Sequence, residues 1–394
     1  MLRQWEFHQP TRIVFGRGTI RNLAEAVRPW GKTALLVGYR DPRELQTAYD
    51  AALERLRAAG LGVSLGLAIT PEPSGEQIVQ LAAIARDIRA DVILGIGGGS
   101  VLDAAKVVAL LCRTEAPLES FFLTNPARHP LDEALPVVAV PTTAGTGAEV
   151  TDIAVVGHRD AHGQEFKASL FGPAIRPKVA LLDPDLTIGT PAKVTAASGV
   201  DALAHAIEAC LSRRATPVST ALAGEAVRLI SAHLAQAVAA PDDPEPRESL
   251  LLAATLAGLA LSSAGVTAAH AVAHALGAVL KVPHAQAVAL ATPVMLRYNL
   301  VSCRQEYAML AHCCGLTADD PQPLPERFVA HIAALLGQVG LAQHLPVAEK
   351  ATAAVLDRLV ANAFAYARVP ITLNPARMNE AALRGVFAAL FSEG

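Results

Sequence analysis

Four histidines and one aspartate in the second half of the chain carry the spacing of a metal site. His270 and His274 lie four residues apart in an alanine-rich segment that reads as helix. An i, i+4 pair shares one helical face, so two imidazoles can converge on one point. His284 comes after Gly277 and directly after Pro283, where a helix breaks and a turn can bring the chain back. Upstream, GVDALAH supplies Asp201 and His205 at the same i, i+4 spacing. Imidazole plus carboxylate suits zinc or ferrous iron. A single helical His pair is often satisfied by backbone or neighbours instead. Two pairs and a Pro-His, in a chain with 12 histidines, tip the reading toward a metal. Unpaired polar groups in such apolar helices would be costly.

Two glycine-bearing stretches suggest a second chemistry. Gly95–Lys106, GIGGGSVLDAAK, sits where an apolar strand runs into a helix. Glycines let the backbone approach a diphosphate, and the helix N-terminus offers free N–H groups and a positive dipole end. The spacing is not GxGxxG, and GGGS alone also fits a tight turn. Asp103 reads as a first-turn carboxylate favouring the helix dipole. Pro141–Thr151, PTTAGTGAEVT, places hydroxyls and glycines after another strand. These are donors for ribose, phosphate or nicotinamide, or else an ordinary hydroxyl-rich turn.

The elements that must position these groups follow from periodicity. Strands are predicted at 11–15, 32–37, 63–69, 91–96 and 136–140, and shorter ones at 153–158, 165–170 and 179–182. A hairpin is expected across 159–163. Helices are predicted at 19–27, 44–60, 76–89 and 101–111. In the second helix Leu45, Ala48, Ala52, Leu53 and Leu56 share a face; in the third, Ile78, Leu81, Ile84 and Ile88 repeat at helical spacing. Alternating strand and helix argue for a parallel α/β sheet covered on both faces. From Pro191 the chain becomes helical and alanine-rich. The boundary is placed at 188–192, giving domains 1–190 and 191–394. Prolines at 241–246 and in 320–325 mark loops inside the helical half.

Bulk properties narrow the class. The chain has 394 residues, 52% hydrophobic and 18% charged, with a net charge of −3. That describes a globule with no case for nucleic acid or an anionic membrane as partner. The five cysteines are odd in number and form no CxxC, which points to a reducing cytoplasm. The N-terminal residues hold no apolar leader core, and the apolar runs read as buried helices. Apolar helices suggest an oligomer, most simply a homodimer.

GVDALAHAIEA and HAVAHALG…VPHAQAVAL…YN resemble the metal-binding helices of the iron-containing (group III) alcohol dehydrogenases. GGGSxxDxAK and PTTxGTGxEVT resemble that family's cofactor signatures, and the likeness covers essentially the whole chain. It implies an α/β N-terminal domain with a parallel, Rossmann-like sheet, an all-α C-terminal domain and an active site in the cleft between them. It implies metal ligands Asp201, His205, His270 and His284. It also implies cofactor contacts from Gly97, Gly98, Gly99, Ser100, Asp103, Thr142, Thr143, Gly145 and Thr146. His274 matches a histidine beside the substrate and is the candidate proton relay. Lys167 matches a lysine near nicotinamide and substrate.

Gly38, Tyr39 and Arg40 close the second strand, where many members carry an aspartate that holds a ribose and repels a 2′-phosphate. No carboxylate stands there. Arg40 could pair with a phosphate, Asp41 could swing in, and NAD against NADP stays open. Ala285 and Ala148 replace the usual Gly and Ser, and Val369 replaces an Asp. Ile371 takes a variable position that implies an apolar-walled pocket.

The implied activity is metal-dependent, NAD(P)-linked alcohol oxidation or aldehyde reduction, with Fe2+ first and Zn2+ as substitute. A metal-independent reductase of the maleylacetate reductase kind shares the fold and is the near alternative. A zinc-dependent hydrolase is the remote one, since it leaves both glycine stretches without work.

Overall fold

The computed structural model describes residues 4–70, 73–159, 165–317, 321–341, 345 and 351–391. The chain divides into two compact units, Gln9–Thr190 and Pro191–Gly394, the second joined by the leading residues up to His8.

Among the described residues the first unit holds eight strands: β1 (Arg12–Phe15), β2 (Thr33–Tyr39), β3 (Gly62–Ile69), β4 (Val92–Gly97), β5 (Val137–Pro141), β6 (Ile153–Arg159), β7 (Glu165–Phe171) and β8 (Val179–Leu182). Its helices are α1 (Leu23–Val27), α2 (Gln46–Ala58), α3 (Gly75–Asp87) and α4 (Gly99–Leu111). Six strands form one parallel sheet in the order β1-β8-β5-β4-β2-β3. β4 and β5 are buried along their whole length, as sheets covered on both faces require. Alternation then sorts the side chains. Leu35, Val37 and Ile93 join the core on the α3–α4 face, while Ala34, Leu36 and Leu94 join the core on the α1–α2 face.

Chain order reverses between β2 and β4, and Tyr39, Gly97 and Pro141 all lie at carboxyl ends on the same edge. In open α/β sheets that reversal is where ligands bind. β6 and β7 stand apart as an antiparallel pair, Ile153 opposite Phe171 through Arg159 opposite Glu165. The expected turn between them lies partly in 160–164, outside the described residues.

Three local expectations are corrected. The predicted helix at 19–27 opens as a 3-10 turn, Thr19–Asn22, before α1. On α2 the buried face runs through Tyr49, not Ala48. Tyr49 is kept because its hydroxyl accepts the Tyr39 N–H at 3.0 Å and donates to the Ile96 carbonyl at 3.1 Å, tying the ends of β2 and β4. On α3, Ile84 is 41% exposed and Ala82 and Ala85 take the buried positions, so small residues outcompete a larger one for close contact with the sheet.

Among the described residues the second unit is helical: α5 (Ala192–Leu211), α6 (Pro217–Ala239), α7 (Pro244–Ala264), α8 (Ala268–Leu280), α9 (His284–Asn299), α10 (Arg304–Cys313), α11 (Leu324–Gln338), α12 (Ala353–Tyr366), α13 (Arg368–Leu373) and α14 (Glu380–Phe391). Local signals start these helices. Thr216 and Ser219 form a capping box ahead of α6, with Pro217 at its first position. Asp243 accepts the Glu245 N–H ahead of α7. α5 is long and apolar enough to cross a membrane, but most of it is buried, as the core helix of a globular protein is. α7 and α8 meet at 101° across Gly265–Thr267. Gly265 has φ +75, and a Cβ there would stand 2.8 Å from Leu373, so both backbone and space select glycine. α8 ends at Lys281 in the left-handed region, and Pro283 caps α9, which makes His284 the first residue of the next helix.

Candidate metal centre and glycine cradle

In the helical unit, α5 presents Asp201 and His205, α8 presents His270 and His274, and α9 begins at His284. The Nε2 atoms of His270, His284 and His205 stand 3.5, 3.6 and 3.9 Å from one atom, Asp201 Oδ1. Those gaps exceed ordinary hydrogen bonds. They match the spacing of ligands sharing an ion: two atoms each about 2.1 Å from a tetrahedral metal stand roughly 3.4 Å apart. Asp201 Oδ1 and His270 Nε2 are buried without a hydrogen-bond partner. Such atoms are normally satisfied, and a cation satisfies both. The donor set therefore fits a divalent metal. Ligand atoms of Asp201, His270 and His284 lie within 4.8 Å of one another. His205 is not in that trio; its ring stacks on His270 at 4.6 Å and 14°. His274 flanks the cluster, its ring centroid 5.6 Å from that of His284 and 6.2 Å from that of His270.

Electrostatics bind the cluster together. Burial pushes the Asp201 carboxyl up, but the surrounding imidazoles outweigh it and hold the group well below the usual range. Burial drives His205 down to about 4. Burial also works against charge on His270, but Glu208 and Asp201 outweigh it and lift the ring to about 10.

Glu208 is the functional residue that spacing alone did not single out. It is 3% exposed and contacts His270 Nδ1. The signal was present: Glu208 lies seven residues after Asp201 and three after His205, on the same face of α5.

In the sheet unit the glycine run forms a cradle. Gly98 caps α4 in extended conformation, and α4 starts at Gly99. A Cβ on Gly97 would stand 2.6 Å from Val101; on Gly98, 2.8 Å from the Tyr39 hydroxyl and 3.0 Å from Thr143 Oγ1; on Gly99, 2.4 Å from Thr146 Cγ2. The three glycines thus let side chains from β2, the Thr-rich loop and α4 itself close on the backbone here, and Gly97 and Gly98 are buried. The Thr142 N–H donates to the Gly97 carbonyl at 3.0 Å, joining that loop to the glycine run, and Gly145 is buried in it. Ser100 lies in the first turn of α4, at the end of the helix whose dipole suits an anion. The Tyr39 hydroxyl accepts the Gly98 N–H, and burial pushes its phenol up. Gly38 is buried against Tyr49. Arg40 is exposed, and Asp41 receives Arg43 Nε at 3.0 Å instead of turning inward. Lys167 sits on β7 opposite Gly157.

Asp103 differs from its expected place. It is the fifth residue of α4, beyond the first turn, and its carboxylate accepts the Val155 N–H at 3.0 Å and pairs with Lys106 at 3.4 Å. Lys106 is fully buried and also donates to Thr151 Oγ1 at 3.1 Å and the Ile153 carbonyl at 2.8 Å. The pair braces the glycine helix against the second signature. Burial pushes Lys106 down and Asp103 up, and their mutual attraction opposes both. Lys106→Met is expected to cost about 3 kcal/mol or more, because it strands a buried carboxylate. Denaturant unfolding checks this, and an unchanged midpoint would contradict the brace.

The chain matches the iron-containing alcohol dehydrogenase family over residues 10–184 and that family's C-terminal region over residues 195–391. It belongs to the iron-containing alcohol dehydrogenases. It is therefore an enzyme, an oxidoreductase of the alcohol dehydrogenase kind. Among relatives, a 1,3-propanediol dehydrogenase of Klebsiella pneumoniae is 35% identical over 87% of this chain and 88% of its own length. An NAD-dependent methanol dehydrogenase of Bacillus methanolicus is 33% identical over 78% and 80%. A solved 1,3-propanediol oxidoreductase superposes with a TM-score of 0.90 at 32% identity, over 99% of this chain and all of that one.

One departure from the iron-containing family's pattern takes on physical sense here. Ala148 packs with Leu102 and Ala139 in a small apolar cluster, where a hydroxyl would need a partner. Ile371 is 5% exposed and packs in the helical core around α8, α9 and α12.

Proposed function

We propose that the chain catalyses reversible hydride transfer between a nicotinamide dinucleotide and a small primary alcohol or aldehyde, at one divalent metal, iron first and zinc as substitute. The observation that carries this reading is the pair of buried, partnerless atoms Asp201 Oδ1 and His270 Nε2, facing each other at 3.5 Å with His284 beside them. When bound, the metal supplies Lewis-acid polarisation of the substrate oxygen and the nicotinamide supplies or takes the hydride.

The protein's own residues hold and orient. Asp201, His205, His270 and His284 hold the metal. The backbone of Gly97–Gly99 and the first turn of α4 hold the pyrophosphate, with Thr142, Thr143, Gly145 and Thr146 beside it. Lys167 steers the nicotinamide end. His274, next to the ligands, passes the alcohol proton to solvent. Alcohol dehydrogenation in the relatives' names supports the substrate class, and the name of the methanol enzyme supports NAD. Tyr39 brings no charge against a 2′-phosphate and Arg40 is exposed beside it, so NADP is tolerated as well. Five free cysteines suit a reducing cytoplasm, and a homodimer is the simplest assembly.

The test is aldehyde-dependent oxidation of NADH and NADPH over a series of short aldehydes. Turnover with NADH, and with NADPH within about a hundredfold in kcat/KM, is the expected outcome. Ester hydrolysis without any nucleotide requirement would overturn the reading. A thousandfold or greater preference for NADH would remove the NADP part alone.

A further inference from the structure

We propose that Glu208 is a positioning residue that decides which ring nitrogen of His270 faces the metal. The inference rests on the metal reading above. Glu208 reaches from α5 to the start of α8. Its Oε1 accepts the Thr267 N–H at 2.9 Å, the Thr267 hydroxyl at 2.9 Å and the His270 N–H at 3.2 Å. Thr267 precedes α8 yet makes no side-chain cap of its own, because its hydroxyl is turned to Glu208. The carboxylate of a neighbouring helix thus caps α8, at the end where the helix dipole favours a negative charge.

Those three donors occupy Oε1 and orient the carboxylate. Oε2 is left against His270 Nδ1. An ionised carboxylate can only accept, so Nδ1 must carry the proton. When a cation displaces any proton on Nε2, the ring offers that nitrogen as its ligand atom, and Nε2 is the buried atom without a hydrogen bond 3.5 Å from Asp201 Oδ1. One side chain therefore sets the start of α8, the rotation of the His270 ring and its tautomer. Carboxylates that hold a ligating histidine in this way typically change metal affinity about 10- to 100-fold when altered.

Glu208→Gln separates this role from simple capping. The amide keeps the size, and its oxygen can still accept the three donors. Its NH2 group would face Nδ1 as a donor, forcing the proton onto Nε2 and into the metal's place. The measurement is anaerobic competition between protein and a chromogenic chelator for zinc, on the full-length wild type, Glu208→Gln and Asp201→Ala. Nucleotide binding and far-UV circular dichroism serve as fold controls. The expected result is tight binding by the wild type, none by Asp201→Ala, and about 10- to 100-fold weaker binding by Glu208→Gln. Wild-type affinity in Glu208→Gln, with Asp201→Ala still inactive in binding, would overturn the positioning role and leave the metal reading standing. No binding by the wild type would overturn both. Should Glu208→Gln not fold, nitrogen-15 NMR of the histidines in the zinc-loaded wild type decides. Zinc on His270 Nε2 with Nδ1 protonated supports the proposal, and zinc on Nδ1 overturns it.

Discussion

Asp201→Ala is expected to lose bound metal and to lower aldehyde reduction by at least on the order of a thousandfold. Three imidazoles point their Nε2 atoms at this one carboxylate oxygen, at 3.5 to 3.9 Å. Removing it deletes the anionic ligand and leaves the ion to the three imidazoles of His205, His270 and His284 alone. Lewis-acid stabilisation is worth several kcal/mol, and each 1.4 kcal/mol is about tenfold in rate. The same variant should bind nucleotide as the wild type does, since the glycine cradle belongs to the other unit. Metal analysis, steady-state kinetics and nucleotide fluorescence titration together check the claim. Full metal content in Asp201→Ala would contradict the assigned ligand set.

The second large effect is expected at Gly99. An alanine Cβ there would meet Thr146 Cγ2 at 2.4 Å and Thr146 Oγ1 at 2.7 Å, while at Gly98 the nearest atoms are 2.8 Å or more away. The contact on Gly98 is with the ends of the Tyr39 and Thr143 side chains, which can move. At Gly99 the whole Thr146 side chain, including Cβ at 3.0 Å, is in the way. Relieving it shifts the first turn of α4, whose amides suit a diphosphate. Gly99→Ala should therefore raise the cofactor KM about 100-fold, and Gly98→Ala nearer tenfold, with metal content unchanged in both. The reverse ranking would contradict the cradle as drawn.

Much of this was legible because the signals were local. DVILGI and PVVAV are continuous apolar runs, and such runs sit in a buried parallel sheet. Asp201 with His205, and His270 with His274, are four residues apart, and a helix turns that spacing into one face. Pro283 ends one helix and begins the next, which sets His284 against the pair upstream.

What escaped depended on distant neighbours. Tyr49 outranks Ala48 because its hydroxyl joins two strand ends, a bond with no trace in α2 itself. Ile84 fits the helical period but loses the inner face to alanines, which the close approach to the sheet favours. Asp103 has the type of a dipole partner, yet the buried ammonium of Lys106 and the Val155 N–H claim it. Glu208 is one more acidic residue in α5 until the bend at Gly265 brings Thr267 and His270 onto its carboxylate.

The central claim is a metal held by the helical unit and required for nicotinamide-linked chemistry. Its most direct test is the metal content of protein purified without air, measured beside aldehyde-dependent NADH oxidation before and after chelation. About one iron or zinc per chain is expected, with loss of activity on chelation and recovery when the metal is returned. A metal-free protein that oxidises NADH at an undiminished rate would contradict it and put a metal-independent reductase in its place.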